Sequence, residues 1–306
     1  MKPLIIGTRG SKLALSQTHQ IMDKIKNAYP DQNIEICIIR TGGDKFPASP
    51  LDQMGMGVFV KEIETALLQK RIDLAVHSAK DLTPELPKGL TIGAIGSRQD
   101  PRDVLVNRWN SKLTDMPENA VIGTSSPRRM ALIKRYRPDF KIVPIRGNID
   151  KRLDQVYREK IDGTIMAAAG LIRLGLETSV SEYLPTNYFI PAPGQGALAI
   201  EIRTIDQHLK DLVRILDDPT THLAIAAERA FLRLLKGGCT EPSAAYAQLD
   251  GDQLNMHAFI GATNGRDFFE AIKSGKSHEP TQVAKQVYQA LLDLGAAHLL
   301  RDDSVK

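Results

Sequence analysis

Through its first two thirds the chain alternates short β-branched runs with helical stretches, and that alternation is the strongest constraint on its fold. "PLIIG" leads into an amphipathic stretch over 11–29, followed by "IEICIIR", "FVKEIETALLQK" and "IDLAVHS". Strands that alternate with helices call for α/β layers around a largely parallel sheet. A second series follows: "AVIGTSS", a helix over "PRRMALIKRYR", "KIVPIRG", a helix over "IDKRLDQVYREK", and "GTIMAAA". Two α/β lobes are therefore expected. "IIGTRGSKLAL" (5–15) and "VIGTSSPRRMAL" (121–132) echo each other, each passing from an apolar strand through Gly-Thr into a Ser-bearing turn and a helix. Ser126 before Pro127 is a helix start, a capping hydroxyl ahead of proline at the first helical position. The N–H groups left unpaired at such starts attract anions.

Pro and Gly punctuation suggests where the chain passes between lobes: "DPRD" at 100–103 is a first crossover and "FIPAPGQGALAIEIR" at 189–203 a second. After "DDPTT" the pattern changes to a long helix over 221–235, the turn "LKGGCTEP", three strand-like runs (243–249, 253–262, 267–273) and a helix over 280–297. That order reads as a smaller α+β domain. The expected domains are 1–98 with 197–216, 99–196, and 217–306.

Composition narrows the function. Apolar content of 42% and charge of 25% are those of a soluble globular protein, and no apolar run reaches membrane-spanning length. The apolar run near the first methionine is too short for a secretory signal, so a cytoplasmic protein with no membrane role is expected. Two cysteines in unlike settings make no disulfide framework, and no Cys/His cluster has metal-ligand spacing, so no metal is expected. The net charge of +4 divides into +7 over residues 1–216 and −3 over 217–306. A basic surplus suits small anionic ligands or nucleic acid. Aromatic content of 5%, with no aromatic-interleaved basic stripe, argues against nucleic acid.

Three stretches could carry chemistry. In "AVHSAKDLTPELP" (75–87) a strand ends and delivers Ser78, Lys80 and Asp81 to a loop, the place where open α/β sheets bind ligands. His77 fits a satisfied core histidine, and Asp81 fits either a turn cap or a catalytic acid. The second group is cationic: Arg128, Arg129, Arg146, Arg152 and Arg173 fall at strand ends, first helical turns or small-residue turns of the second lobe, with Arg9 and Ser11 at the echoing turn of the first. Guanidinium forks bind carboxylates or phosphates bidentately, so the implied ligand is a multiply charged anion. The third is "TGGDKFPASPLDQMGMG" (41–57), long and small-residue-rich, which reads as a lid. Of the cysteines, Cys37 lies in "IEICII" and is expected in a buried strand. Cys239 sits between Gly-Gly and Pro242, where a side chain is presented rather than packed.

Ten collinear stretches, among them "GTRGSKLALSQ", "GVFVKEIE", "DLAVHSAKDL", "IGTSSPRR", "IRGNIDKRL", "PAPGQGALAIE" and "AERAFLRLLKGGC", resemble the porphobilinogen deaminase (hydroxymethylbilane synthase) family over nearly the whole chain. The resemblance implies an α/β fold of two binding-protein-like lobes joined by a hinge of two crossovers, plus a smaller α+β C-terminal domain. It implies a monomeric transferase that links four porphobilinogen molecules head to tail and releases a linear tetrapyrrole. It implies a dipyrromethane cofactor held by Cys239 through a thioether, with Asp81 as the catalytic carboxylate. Cofactor contacts carried over are Ser11, Lys80, Thr124, Ser125, Ser126, Arg128, Arg129, Arg146, Gln195 and Gly196. Substrate contacts are Arg9, Ser11, Arg146, Arg152 and Arg173, with Lys61 beside the lid. The chain departs from the family pattern at Met56, where lysine is frequent, at Lys236, where an acid is frequent, and at "TEPSAA" after the cysteine. The competing reading, a non-enzymatic two-lobed binding protein for a small anion, leaves Cys239 without a role.

Overall fold

A computed structural model describes residues 3–45, 57–235 and 242–300. The chain begins β1 (Leu4–Thr8), α1 (Lys12–Ala28), β2 (Ile34–Ile38), a single turn α2 (Gly42–Lys45), α3 (Lys61–Leu68), β3 (Leu74–Ser78) and β4 (Leu90–Ile95). It continues β5 (Asp103–Asn107), β6 (Val121–Gly123), α4 (Pro127–Tyr136), β7 (Lys141–Val143), α5 (Ile149–Tyr157), β8 (Gly163–Ala167), α6 (Ala168–Arg173) and β9 (Glu182–Leu184). The last third is β10 (Leu198–Arg203), α7 (Gln207–Val213), α8 (Pro219–Leu234), β11 (Ser243–Asp250), β12 (Gln253–Gly261), β13 (Phe268–Lys276) and α9 (Pro280–Asp293). No helix among the described residues is long and apolar enough to cross a membrane.

Met1–Gln99 and Gly196–His222 form one compact unit. Its sheet has the order β2-β1-β3-β10-β4. The buried stripe of α1, with Ile21 and Ile25, packs on Ile6, Leu74 and Val76 from one face. From the other face α3 brings Ile63, Ala66 and Leu67 onto Ile72 and Ala75. Asp100–Gln195 and Leu223–Lys306 form the other unit. It holds a sheet of order β7-β6-β8-β5-β9 and a separate three-stranded sheet β11-β12-β13. One face of the three-stranded sheet buries Ala245 and Met256 under Phe231 of α8 and Val287 and Leu291 of α9. Its opposite face lays Ala244 and Phe259 against Leu132 and Phe140, which fuses it to the five-stranded lobe.

Two expectations need correction. The sheets are mixed rather than largely parallel: β1, β2 and β3 run parallel, but β10 is antiparallel to both β3 and β4. In the second lobe β6, β7 and β8 run parallel and β5 is antiparallel to β8 and β9. In each lobe the reversed strand is the one laid down as the chain arrives from the other unit, so no βαβ crossover fixes its direction. The second correction is Cys37. It is half-buried rather than core, because β2 is an edge strand whose burial alternates.

The internal echo corresponds to equivalent pieces of the two lobes. β1 and β6 occupy the same place in their sheets, and each hands on to a helix capped by serine, Ser11 on α1 and Ser126 on α4.

Candidate functional site

In the first unit β1 and β3 are parallel neighbours, so residues 9–11 and 78–81 leave the sheet at the same edge. There they line an open hollow that includes Arg9, Ser11, Gln17, Phe59, His77, Ser78 and Asp81. Asp81 closes a short 3₁₀ turn, Ala79–Asp81, that follows β3 directly. The Arg9 guanidinium lies 4.3 Å from the centre of the Phe59 ring. Ser11 Oγ accepts from the Ala14 N–H at 3.2 Å and caps α1, and Gln17 Nε2 donates to Ser78 Oγ at 3.0 Å. Lys61 and Lys80 are exposed. Gln17 and Phe59 went unread in the sequence. The available signal for Gln17 was a polar residue on the buried stripe of α1, beside Thr18 and Ile21.

Behind that hollow His77 does find a partner, as a core histidine should. Its Nε2 lies 3.1 Å from Glu201 Oε2, across from β3 to β10. Glu64 of α3 joins them, and all three are buried. Burial, and then the Glu201 charge, push the Glu64 carboxyl up to about 7, against the pull of His77.

The second unit has the opposite polarity. Thr124 Oγ1 accepts from the Ser126 N–H at 3.2 Å, and Ser126 Oγ accepts from the Arg129 N–H at 3.4 Å, which starts α4. Ser125 Oγ donates to the Ile145 carbonyl at 2.9 Å and accepts from its N–H at 3.1 Å, so it fixes the loop that presents Arg146. Arg152 stands in the first turn of α5, which Asn148 caps, and its Nε donates to the Gly147 carbonyl at 2.9 Å.

Arg128 and Arg129 are buried and converge on one carboxylate. Arg128 Nη1 pairs with Asp103 Oδ2 at 2.7 Å, while Arg129 donates through Nε and Nη2 to Asp103 Oδ1 at 3.2 and 2.7 Å. Gln195 Nε2 adds a donor to the same oxygen at 3.1 Å. Asp103 is fully enclosed on β5. Burial alone would raise its carboxyl, but the two guanidinium charges outweigh that and hold it well below the carboxylate range. One carboxylate against two guanidiniums leaves positive charge over. Arg152 registers the surplus: burial, then the charges of Arg129 and Arg146, push it down to about 10. Arg173, closing α6, is pushed down to about 10 by burial. Gly196 has φ +93°, and a Cβ there would stand 2.3 Å from the Gln99 carbonyl, so only glycine fits.

Cys239, Lys236 and Met56 lie outside the described residues, as do positions 46–56 of the expected lid.

Residues 4–211 match the family described as "Porphobilinogen deaminase, dipyromethane cofactor binding domain", and residues 222–293 match "Porphobilinogen deaminase, C-terminal domain". The porphobilinogen deaminase of Syntrophus aciditrophicus is 44% identical over 96% of this chain and 97% of its own. That of Brevibacillus brevis is 44% identical over 97% of this chain and 96% of its own. The chain belongs to the porphobilinogen deaminase family.

Proposed function

We propose that the chain is a hydroxymethylbilane synthase, which deaminates porphobilinogen, joins four molecules head to tail and releases the linear tetrapyrrole. The observation that carries this is the under-neutralised guanidinium cluster of Arg128, Arg129, Arg146 and Arg152. Burial and the neighbouring charges of Arg129 and Arg146 lower Arg152, and guanidiniums gathered round a single carboxylate favour a bound polyanion. A dipyrromethane bears acetate and propionate groups, so its chemistry fits that donor set. Arg128, Arg129 and Arg146, with Ser11, Lys80, the Thr124–Ser126 turn, Gln195 and Gly196, would hold it, tethered at Cys239 on the 217–306 domain. When bound, it supplies the pyrrole α-carbon from which the product chain is built.

The protein's own groups do the rest. Asp81 stands at the carboxyl end of β3 in a hollow with Arg9, Ser11 and Gln17. A neutral pyrrole becomes cationic as ammonia leaves its aminomethyl group, and a fixed carboxylate beside the ring stabilises that charge selectively. Arg9, Arg152 and Arg173 bind the carboxylates of incoming substrate, and Lys61 stands at the lid end of α3. Stacking on Phe59 holds the Arg9 guanidinium in place. Ser125, by fixing Ile145, sets the angle at which Arg146 is offered. The non-enzymatic binding-protein reading is not favoured, since it leaves Cys239 idle.

Intact mass tests the reading. Purified protein should carry two pyrrole units that Cys239→Ser lacks, and protein without the addition that also fails to consume porphobilinogen would refute it. We place the enzyme in the cytoplasm as a monomer, which light scattering of the purified protein checks.

A further inference from the structure

Glu64 on α3, His77 on β3 and Glu201 on β10 sit together with no task in the reading above. They are 6%, 5% and 0% exposed. A carboxylate on Nε2 of His77 keeps the hydrogen on that nitrogen and leaves Nδ1 as an acceptor. The remaining oxygens, Glu64 Oε1 and Glu201 Oε1, are enclosed and meet no donor among the described residues. Of the two, Glu64 has no histidine bonded to it, and a buried carboxyl oxygen without a donor favours carrying a proton. The raised Glu64 carboxyl agrees with that geometry. His77 also lines the hollow that holds Asp81.

The other charges near the cluster are few. Asp81 and Arg9 line the hollow, and Lys61 and Glu62 share α3 with Glu64. On β10 the other charge, Arg203, is tied to Asp206 and Asp73. Strands β1 and β4 carry no titratable residue, and α1 contributes the uncharged Gln17 to the hollow.

We propose that His77, oriented by Glu201, accepts the proton that a pyrrole's free α-carbon sheds when it gains its new carbon–carbon bond, with Glu64 as a second seat for that proton. The proposal rests on the hydroxymethylbilane synthase reading. Porphobilinogen enters as the ammonium. Its C–N bond breaks with the electron pair leaving on ammonia, and the new C–C bond takes a pair from a pyrrole. The α-C–H pair then returns to that ring while the proton moves to His77 Nδ1. Ammonia carries the proton off as ammonium, so charge and protons balance with no oxidant or reductant.

The probe is porphobilinogen deuterated at its free α-carbon. In His77→Gln, turnover should fall about 10²- to 10⁴-fold with KM little changed, and proton removal should become slow enough to show a primary isotope effect larger than that of the wild type. A fall without an added isotope effect, or retained turnover, overturns the proposal. Glu64→Gln should keep the fold and lose an ionisation near neutrality from the pH profile of kcat, and an unchanged profile removes Glu64 from the scheme. A readout independent of turnover is the ¹⁵N spectrum of histidine-labelled wild-type protein. There His77 should carry its hydrogen on Nε2 with Nδ1 bare, and a hydrogen fixed on Nδ1 would sink the idea. Wild-type protein that consumes no porphobilinogen refutes the functional reading instead and leaves the nitrogen spectrum to decide the proton assignment.

Discussion

The two five-stranded sheets share a strand order, and each carries a fully enclosed carboxylate on its reversed strand, yet the groups gathered round that carboxylate differ. Glu201 on β10 meets His77 with a second acid, Glu64, beside them, so this cluster holds more acid than base. Asp103 on β5 is shared by Arg128 and Arg129, so the second lobe buries more base than acid. On the proposed function one scaffold would serve two tasks: an acidic neighbourhood suits cations that form and vanish during reaction, and a basic one suits permanent carboxylates. The difference lies in what surrounds the carboxylate, a strand histidine in one lobe and the first turn of a helix in the other.

The strongest way to break the comparison is Asp103→Ala. It strands two enclosed guanidiniums and should cost about 3–5 kcal/mol of stability, read by urea denaturation. A loss below 1 kcal/mol would show that the basic lobe does not depend on its carboxylate. Asp81→Asn should leave stability unchanged and slow turnover roughly a hundredfold, about 3 kcal/mol in the barrier; near-normal turnover removes Asp81 from the chemistry.

The pH dependence separates the lobes. Glu64 binds its proton more tightly folded than unfolded, so its contribution is fully present below the ordinary glutamate range and is lost as pH rises through about 7. That loss is on the order of 3 kcal/mol, read as faster amide exchange in β3 and β10, and Glu64→Gln should flatten it. Asp103 behaves oppositely: its contribution is present above the ordinary aspartate range and is lost only as strong acid protonates it, so β5 and β8 should show no such slope near neutrality.

Arg152→Leu should weaken carboxylate binding by about 2 kcal/mol and accumulate partly extended adducts by mass spectrometry, and an unchanged ladder counts against it. The smallest effect should be the same in both lobes: Ser11→Ala and Ser126→Ala each remove a helix cap worth about 1 kcal/mol.

Local features were legible in the sequence. The Gly-Thr-Ser echo marks two capped helices, and the order of β-branched runs gives most strands. What escaped depends on long-range pairing. Glu201 meets His77 across 124 positions and Gln195 meets Asp103 across 92, distances at which no spacing rule operates. A hint was nonetheless present: "DVLV" and "LAIEIR" each place an acid within an apolar strand, which is tolerable only if something cationic or protonated lies against it. Arg128 and Arg129 were readable as anion binders, but not as partners of an internal acid, because only the fold brings β5 under α4. The reversed strands were missed because residue type specifies a strand and not its direction.

Those reversed strands also set an order of assembly. All five strands of the second sheet lie between residues 103 and 184, whereas the first sheet needs β10, which ends at residue 203. During synthesis, then, β3 must wait with one apolar flank bare for more than a hundred residues, and the later-encoded sheet can close before the earlier one. A nascent chain halted before residue 198 would hold all five strands of the guanidinium sheet while still lacking the strand that carries Glu201.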